Sequence, residues 1–146
     1  MRLNFCKQQI GVAYSLNPAK PDVAEALAQI TNKDMPAVII DATGNLQAIN
    51  NGFQYMAHGG RYVLVGLQKK EIIISHPEFH KREGTLMSSR NATLQDFEKV
   101  MHSIKSGLIN PLKYITHRAK FTEVADEFGK WLNPARGVIK AVVEMD

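Results

Sequence analysis

Pro36-Ala37-Val38-Ile39-Ile40-Asp41-Ala42-Thr43-Gly44-Asn45 decides the fold class. The apolar run from Met35 to Ile40 has no polar interruption and stops at an acid, Asp41. Short continuous runs of this kind, buried on both faces, are typical of strands in parallel sheets. Leu46, Ile49, Phe53 and Met56 then recur at helical spacing, and Gly59-Gly60 is placed to close that helix. A second apolar run, Tyr62-Val63-Leu64-Val65, ends in Gly66. Strand, helix and strand in this order imply a right-handed parallel crossover, and hence an α/β fold.

Working outward, Leu3, Phe5, Cys6 and Ile10 read as a helix with no capping residue before it, and Gly11–Ser15 as a short strand. Val23, Ala26, Leu27 and Ile30 have helical spacing, with Asp22 as N-cap. Beyond Gly66, two strands are expected at Glu71–Ser75 and Gly84–Ser89. Thr93 with Asp96 forms a capping-box pattern before Leu94, Phe97, Val100, Met101 and Ile104, and Gly107 ends that helix. The tail reads as a strand at Lys113–Thr116, a helix through Phe121, Val124, Ala125, Phe128 and Trp131, and a strand from Val138 to Val143. Residues 1–111 are therefore read as a partial nucleotide-binding domain and residues 112–146 as a separate small strand-helix-strand segment.

Composition narrows the function classes. The chain has 146 residues, 45% of them hydrophobic and 22% charged, a balance ordinary for a folded domain. No apolar run approaches the roughly 20 residues of a membrane helix, and the N-terminus lacks a signal-peptide pattern. The net charge of +4 comes from scattered pairs such as Lys69-Lys70 and Lys81-Arg82, not from a basic stripe, so a nucleic-acid partner is not expected. One cysteine, Cys6, allows no internal disulfide and no cysteine-rich zinc site, and a cytoplasmic setting is expected.

Several chemistries lack their residues. No two glycines are spaced G-x-G, so the phosphate-cradling G-x-G-x-x-G loop is absent, as is a P-loop lysine motif. Ser88 and Ser89 sit in no G-x-S-x-G elbow. His76-Pro77-Glu78-Phe79-His80 has an i,i+4 histidine pair, but Pro77 between flanking strands favours a loop, and no metal site is assigned there. Two places remain where a ligand could approach backbone beyond a strand end, Asp41–Asn45 and Val65–Leu67.

Asp41-Ala42-Thr43-Gly44-Asn45, His58-Gly59-Gly60, Val65-Gly66-Leu67 and Ser89-Arg90-Asn91-Ala92-Thr93, in this order and spacing, resemble the zinc-type medium-chain alcohol/polyol dehydrogenase superfamily. The likeness is greatest to its sugar-acid branch, the galactonate and gulonate 5-dehydrogenases, and runs from Leu3 to the C-terminus. Pro77-Glu78-Phe79-His80-Lys81 through Thr93 carries it most strongly. The resemblance implies an incomplete Rossmann-like sheet, whose first strands and glycine-rich loop are missing, joined to a C-terminal part of the catalytic domain. It implies cofactor contacts at Ala42, Thr43 and Gly44 beside the ribose, and at Val65, Gly66 and Leu67 at the nicotinamide end. Met87, Ser88 and Ser89 correspond to the strand end that holds the carboxamide, with Arg90 and Asn91 just beyond, and Lys140 to a residue that meets cofactor phosphates.

Catalytic residues and zinc ligands lie, in the family, in the domain before the first of these strands. The resemblance thus implies a C-terminal portion of an NAD- or NADP-dependent enzyme, transferring hydride between a secondary alcohol and a ketone, with zinc in the full-length parent only. The portion alone is expected to be inactive. A degenerate nucleotide-binding module and a dimerising interaction protein are the alternatives. A homo-oligomer, dimer or larger, is expected because the strand ending at Asp41 would be left as a sheet edge, and because the family pairs the region Glu71–Ser89 across a dimer.

Overall fold

In a computed structural model, described over residues 2–145, the strand-helix-strand reading holds. β1 (Val38–Asp41), β2 (Arg61–Leu64) and β3 (Thr85–Ser88) form one sheet in the order β1-β2-β3, with both pairings parallel. The register places Asp41, Leu64 and Ser88 side by side, so the three strands finish together. Ahead of them come α1 (Arg2–Phe5), continued by a π-turn over Cys6–Ile10, and α2 (Val23–Ile30). α3 (Leu46–Gly52) connects β1 to β2, and α4 (His76–Lys81) precedes β3. Then follow α5 (Leu94–Lys105), β4 (Ile115–Lys120), α6 (Val124–Trp131) and β5 (Lys140–Glu144), with β4 and β5 forming a second parallel pair. The α/β class with open parallel sheets is as the sequence implies.

The chain forms two compact units, Asn17–Asn91 and Met1–Leu16 with Ala92–Asp146. The first holds most of the buried side chains: Ile49, Met56, Ala57 and Tyr62, with Asp41 the buried charged residue among those described. Tyr62 donates a hydrogen bond from its hydroxyl to the Ile49 carbonyl at 3.0 Å. Its ring meets Phe53 edge-on at 4.9 Å, and Phe53 in turn meets Phe79 at 6.0 Å. Burial, helped by the Asp41 carboxylate, pushes the Tyr62 phenol from 10.0 up to about 12. The folded state therefore keeps a proton that the unfolded state releases above its ordinary value near 10.0. That stabilisation is complete below this value and is lost as pH rises toward about 12. A phenolate absorbance titration should show one of the four tyrosines ionising late, together with unfolding. Four tyrosines titrating together in a still-folded chain would contradict this burial.

In the other unit, the Arg118 guanidinium donates to Glu144 at 2.7 Å across β4 and β5, and Ala119 is buried. Thr93 and Asp96 form the expected capping box on α5. The Thr93 N–H and hydroxyl, both donating to Asp96, hold its carboxyl below the usual range.

Five local expectations are corrected. Gly11–Ser15 is not a strand: the π-turn ends at Gly11 in the left-handed region (φ 78°), and Tyr14 is exposed. Asp22, by contrast, does stand at the N-cap of α2 as expected, its carbonyl accepting the Ala26 N–H at 2.9 Å, though its side chain makes no capping bond. The helix after β1 does not run to Gly59 but stops at Gly52, tightening into a 3-10 turn over Phe53–Tyr55. A Cβ on Gly52 would lie 2.3 Å from the Tyr62 hydroxyl, so the chain is held against that ring. Glu71–Ser75 pairs with no strand, because β propensity alone does not supply a partner. His76–Lys81 is a helix rather than a loop, since Pro77 falls in its first turn, where a missing N–H costs nothing, and the Arg82–Glu78 pair (2.8 Å) supports it. Finally, Asn110 caps a 3-10 turn at Pro111–Tyr114, which displaces the start of β4 to Ile115, and β5 begins two residues late.

Candidate functional site: a crevice at the strand ends

Beyond the carboxyl ends of β1 and β2 the backbone folds onto itself. The Asp41 carbonyl accepts N–H bonds from Val65 (2.8 Å) and Gly66 (2.9 Å). The Asp41 carboxylate turns back over its own loop, accepting the Thr43 hydroxyl at 2.6 Å and the Gly44 N–H at 3.1 Å. Thr43 Oγ1 then accepts the Asn45 N–H, and Asn45 caps α3 by accepting the Ala48 N–H, both at 3.1 Å. One buried acid thus ties the end of β1 to the first turn of α3.

The two turns touch without intervening side chains. Gly44 has a φ of 61°, and a Cβ there would stand 2.5 Å from the Leu67 carbonyl oxygen. A Cβ on Gly66 would stand 2.3 Å from the Gly44 nitrogen. Glycine is needed at both positions, for close approach at Gly66 and for conformation as well at Gly44. One strand over, the Ser89 N–H donates to the Leu64 carbonyl at 2.9 Å and carries the pairing past the end of β3.

These strand ends border an open crevice of about 600 Å³ lined by Leu64 to Gln68, Ile72 and Ser88 to Asn91. It combines hydroxyl and amide groups with the apolar surfaces of Val65, Leu67 and Ile72. Leu67 is 92% exposed. Val65, Gly66, Leu67, Ser88, Ser89 and Arg90 of the sequence-based set are gathered here. Ala42, Thr43 and Gly44 form the adjacent turn, with Ala42 and Thr43 exposed. Met87 is exposed on β3 but does not line the crevice. Lys140 lies in the other unit, exposed at the start of β5.

Asn91, expected just beyond the strand end, does line the crevice, whereas sequence reasoning missed Gln68 and Ile72 as lining residues and read Asp41 only as a strand terminus. An acid followed at two and three residues by Thr and Gly was the signal for the last of these. The crevice has the mixed apolar and polar walls common to small-molecule sites. Zinc does not fit: among the described residues no three His, Cys, Asp or Glu side chains converge. No described helix is long and apolar enough to cross a membrane.

Residues 1–106 match the family model described as zinc-binding dehydrogenase. The chain belongs to this family. Within it, the zinc-binding dehydrogenase chain is 40% identical over 128 residues to L-galactonate-5-dehydrogenase of Escherichia coli K12, a match covering 88% of this chain and 38% of that protein. The sugar-acid likeness expected from the sequence is therefore supported by that relative. Among solved structures, an Escherichia coli oxidoreductase/dehydrogenase of unknown specificity superposes with a TM-score of 0.88, covering 99% of this chain and 41% of that one at 21% identity. This establishes the fold. A second structure, described as a short chain alcohol dehydrogenase from Escherichia coli CFT073 complexed with NADH, gives a TM-score of 0.84 at 25% identity, covering 96% and 40% respectively. The chain thus spans less than half the length of the relatives it matches.

Proposed function

We propose that this chain contributes the nicotinamide end of the cofactor site in an NAD(P)-dependent zinc-type dehydrogenase acting on a sugar acid or polyol. In the whole enzyme, hydride would pass between a secondary alcohol and a ketone. The observation that carries this proposal is the crevice between the Val65–Leu67 turn and Ser88–Asn91, where three parallel strands end together. Ala42, Thr43 and Gly44 lie toward the ribose, Val65, Gly66 and Leu67 toward the nicotinamide ring, and Met87, Ser88, Ser89 and Arg90 toward its carboxamide. Lys140 is assigned to the cofactor phosphates. Residues 112–146 are assigned to the catalytic domain of the whole protein, and the setting to the cytoplasm.

Among the described residues no three zinc ligands come together, and the chain by itself is expected to oxidise no alcohol. It should still bind NADH weakly, because the pyrophosphate-binding glycine loop is not in the sequence. Amide chemical-shift mapping with NADH tests this. Perturbations centred on Gly66, Leu67, Ser89 and Arg90, at millimolar nucleotide and without turnover, are expected. Shifts centred elsewhere, or none at saturating NADH, would refute the assignment.

We further infer that the chain self-associates as a dimer or larger. Among the described residues β1 has a single neighbour, β2, and Val38 and Ile40 on it are 56% and 65% exposed. An apolar strand with an open edge favours pairing with a second copy. Light scattering should report a mass of at least twice 16.3 kDa, and a monodisperse monomer would overturn the inference.

A further inference from the structure

The helix α4 places two histidines where the sequence pattern had suggested a loop. His76 and His80 stand one turn apart on the same face, both exposed, with ring centroids 5.6 Å apart and the rings tilted by 39°. They border an open concavity that Phe79, Lys81, Glu83 and Gly84 also line. Neither ring is committed to a hydrogen bond among those formed by the described residues, and neither belongs to the strand-end crevice. We propose that His76 and His80 form a two-imidazole chelate for a divalent transition-metal ion, with copper(II) bound most tightly and nickel(II) next.

Geometry and ligand chemistry lead to that class. Metal–nitrogen bonds of about 2.0–2.1 Å place the centroids of two cis imidazoles roughly 4.5–5.2 Å apart, close to the 5.6 Å found here. Helical i,i+4 spacing supplies this pairing in other metal-binding helices. No third His, Cys, Asp or Glu joins the pair among the described residues, so water would complete the coordination. A tetrahedral zinc site normally draws on three or four protein ligands, which disfavours zinc here. Two imidazoles and water suit the tetragonal preference of copper(II) and nickel(II), and copper(II) heads the affinity order for nitrogen ligands. The helix is short, and a bridging ion would hold its first and last turns together.

The test is copper(II) and nickel(II) titration of the full chain, read by visible absorption and by nitrogen hyperfine structure in electron paramagnetic resonance. One tight copper(II) equivalent with a two-nitrogen signature is expected, with nickel(II) weaker. Since even outer-shell changes cost about 10–100-fold in metal affinity, His76→Asn and His80→Asn should each weaken copper(II) binding at least tenfold. Lys81→His in the His80→Asn background moves the ligand around the helix and should not restore it. His58→Asn, His102→Asn and His117→Asn should leave the tight site intact. Both positions of the pair are exposed, and an unchanged late tyrosine titration verifies that each variant is folded. Parent-like affinity in either single variant, or an equal loss in one of the three control variants, would overturn the proposal. Recovery by Lys81→His would overturn it as well.

Discussion

Gly66→Ala should unfold or severely loosen the Asn17–Asn91 unit, even though it adds one methyl group. The new Cβ would lie 2.3 Å from the Gly44 nitrogen, 2.9 Å from its Cα and 3.0 Å from an Asp41 carboxylate oxygen. Two of these neighbours are backbone and the third belongs to a buried, doubly hydrogen-bonded acid, so none can swing aside. Relief requires the two turns to part, which breaks the Val65 and Gly66 bonds to the Asp41 carbonyl. Overpacking of this kind costs about 1–3 kcal/mol, and each lost bond adds roughly 1 kcal/mol. With about 4–8 °C of melting temperature per kcal/mol in a unit of this size, a fall of at least ~10 °C is expected. Gly129→Ala is the internal control. It lies within α6, nothing stands within 4 Å of its added Cβ, and the exchange should stabilise by roughly 0.5–1 kcal/mol. Thermal unfolding by circular dichroism measures both. A melting temperature for Gly66→Ala within 2 °C or so of the parent's would show that the turns are not packed backbone to backbone.

This contact also shows what the sequence could disclose and what it could not. Val38–Asp41 and Arg61–Leu64 were legible as strands because continuous apolar runs bounded by turn residues are a parallel-strand pattern, although on β1 the expected burial of both faces fails, Val38 and Ile40 staying exposed. The capping box at Thr93 was legible because its chemistry is local, complete within four residues. Glu71–Ser75 was misread for the opposite reason. Its isoleucines carry the side-chain chemistry of a strand, but strand pairing is a long-range event, and Ile73 instead stays 75% exposed. His76–Lys81 was misread because Pro77 was weighed as a helix breaker without regard to position, and in a first turn it is no breaker. Within the site, Gly44 and Gly66 could be marked as turn residues. That one turn lies on the other depends on the register of β1 against β2, which no local pattern encodes. Gln68 and Ile72 join the crevice for the same reason, through three strands ending at one level.

Asp41→Ala is expected to be the second most damaging exchange, for electrostatic rather than steric reasons. Asp41 is only 6% exposed, and its carboxylate accepts the Thr43 hydroxyl and the Gly44 N–H. Alanine would take the acceptor from both donors, leaving the exposed Thr43 hydroxyl to water and the half-buried Gly44 N–H without its partner. Each such loss from a charged acceptor costs about 1.5–3 kcal/mol, so a total of roughly 3 kcal/mol is expected. The damage should spread along the chain of bonds from Thr43 to Asn45 to the Ala48 N–H, fraying the start of α3 and exposing Ile49. Asp41→Asn separates charge from shape. Its amide oxygen can still accept the Gly44 N–H, while its NH₂ can donate to Thr43 in a reversed bond, so a smaller loss of about 1 kcal/mol is expected. Tyr62 reports which effect has occurred. Burial is the larger cause of its raised pKa and the Asp41 charge the smaller. In a folded Asp41→Asn chain the phenol should therefore titrate somewhat below about 12, yet still later than the other tyrosines. A phenol restored to the ordinary range in that variant would mean that the fold, and not merely a charge, had been lost. If Asp41→Ala instead melted within about 0.5 kcal/mol of the parent, the carboxylate could not be what joins β1 to α3.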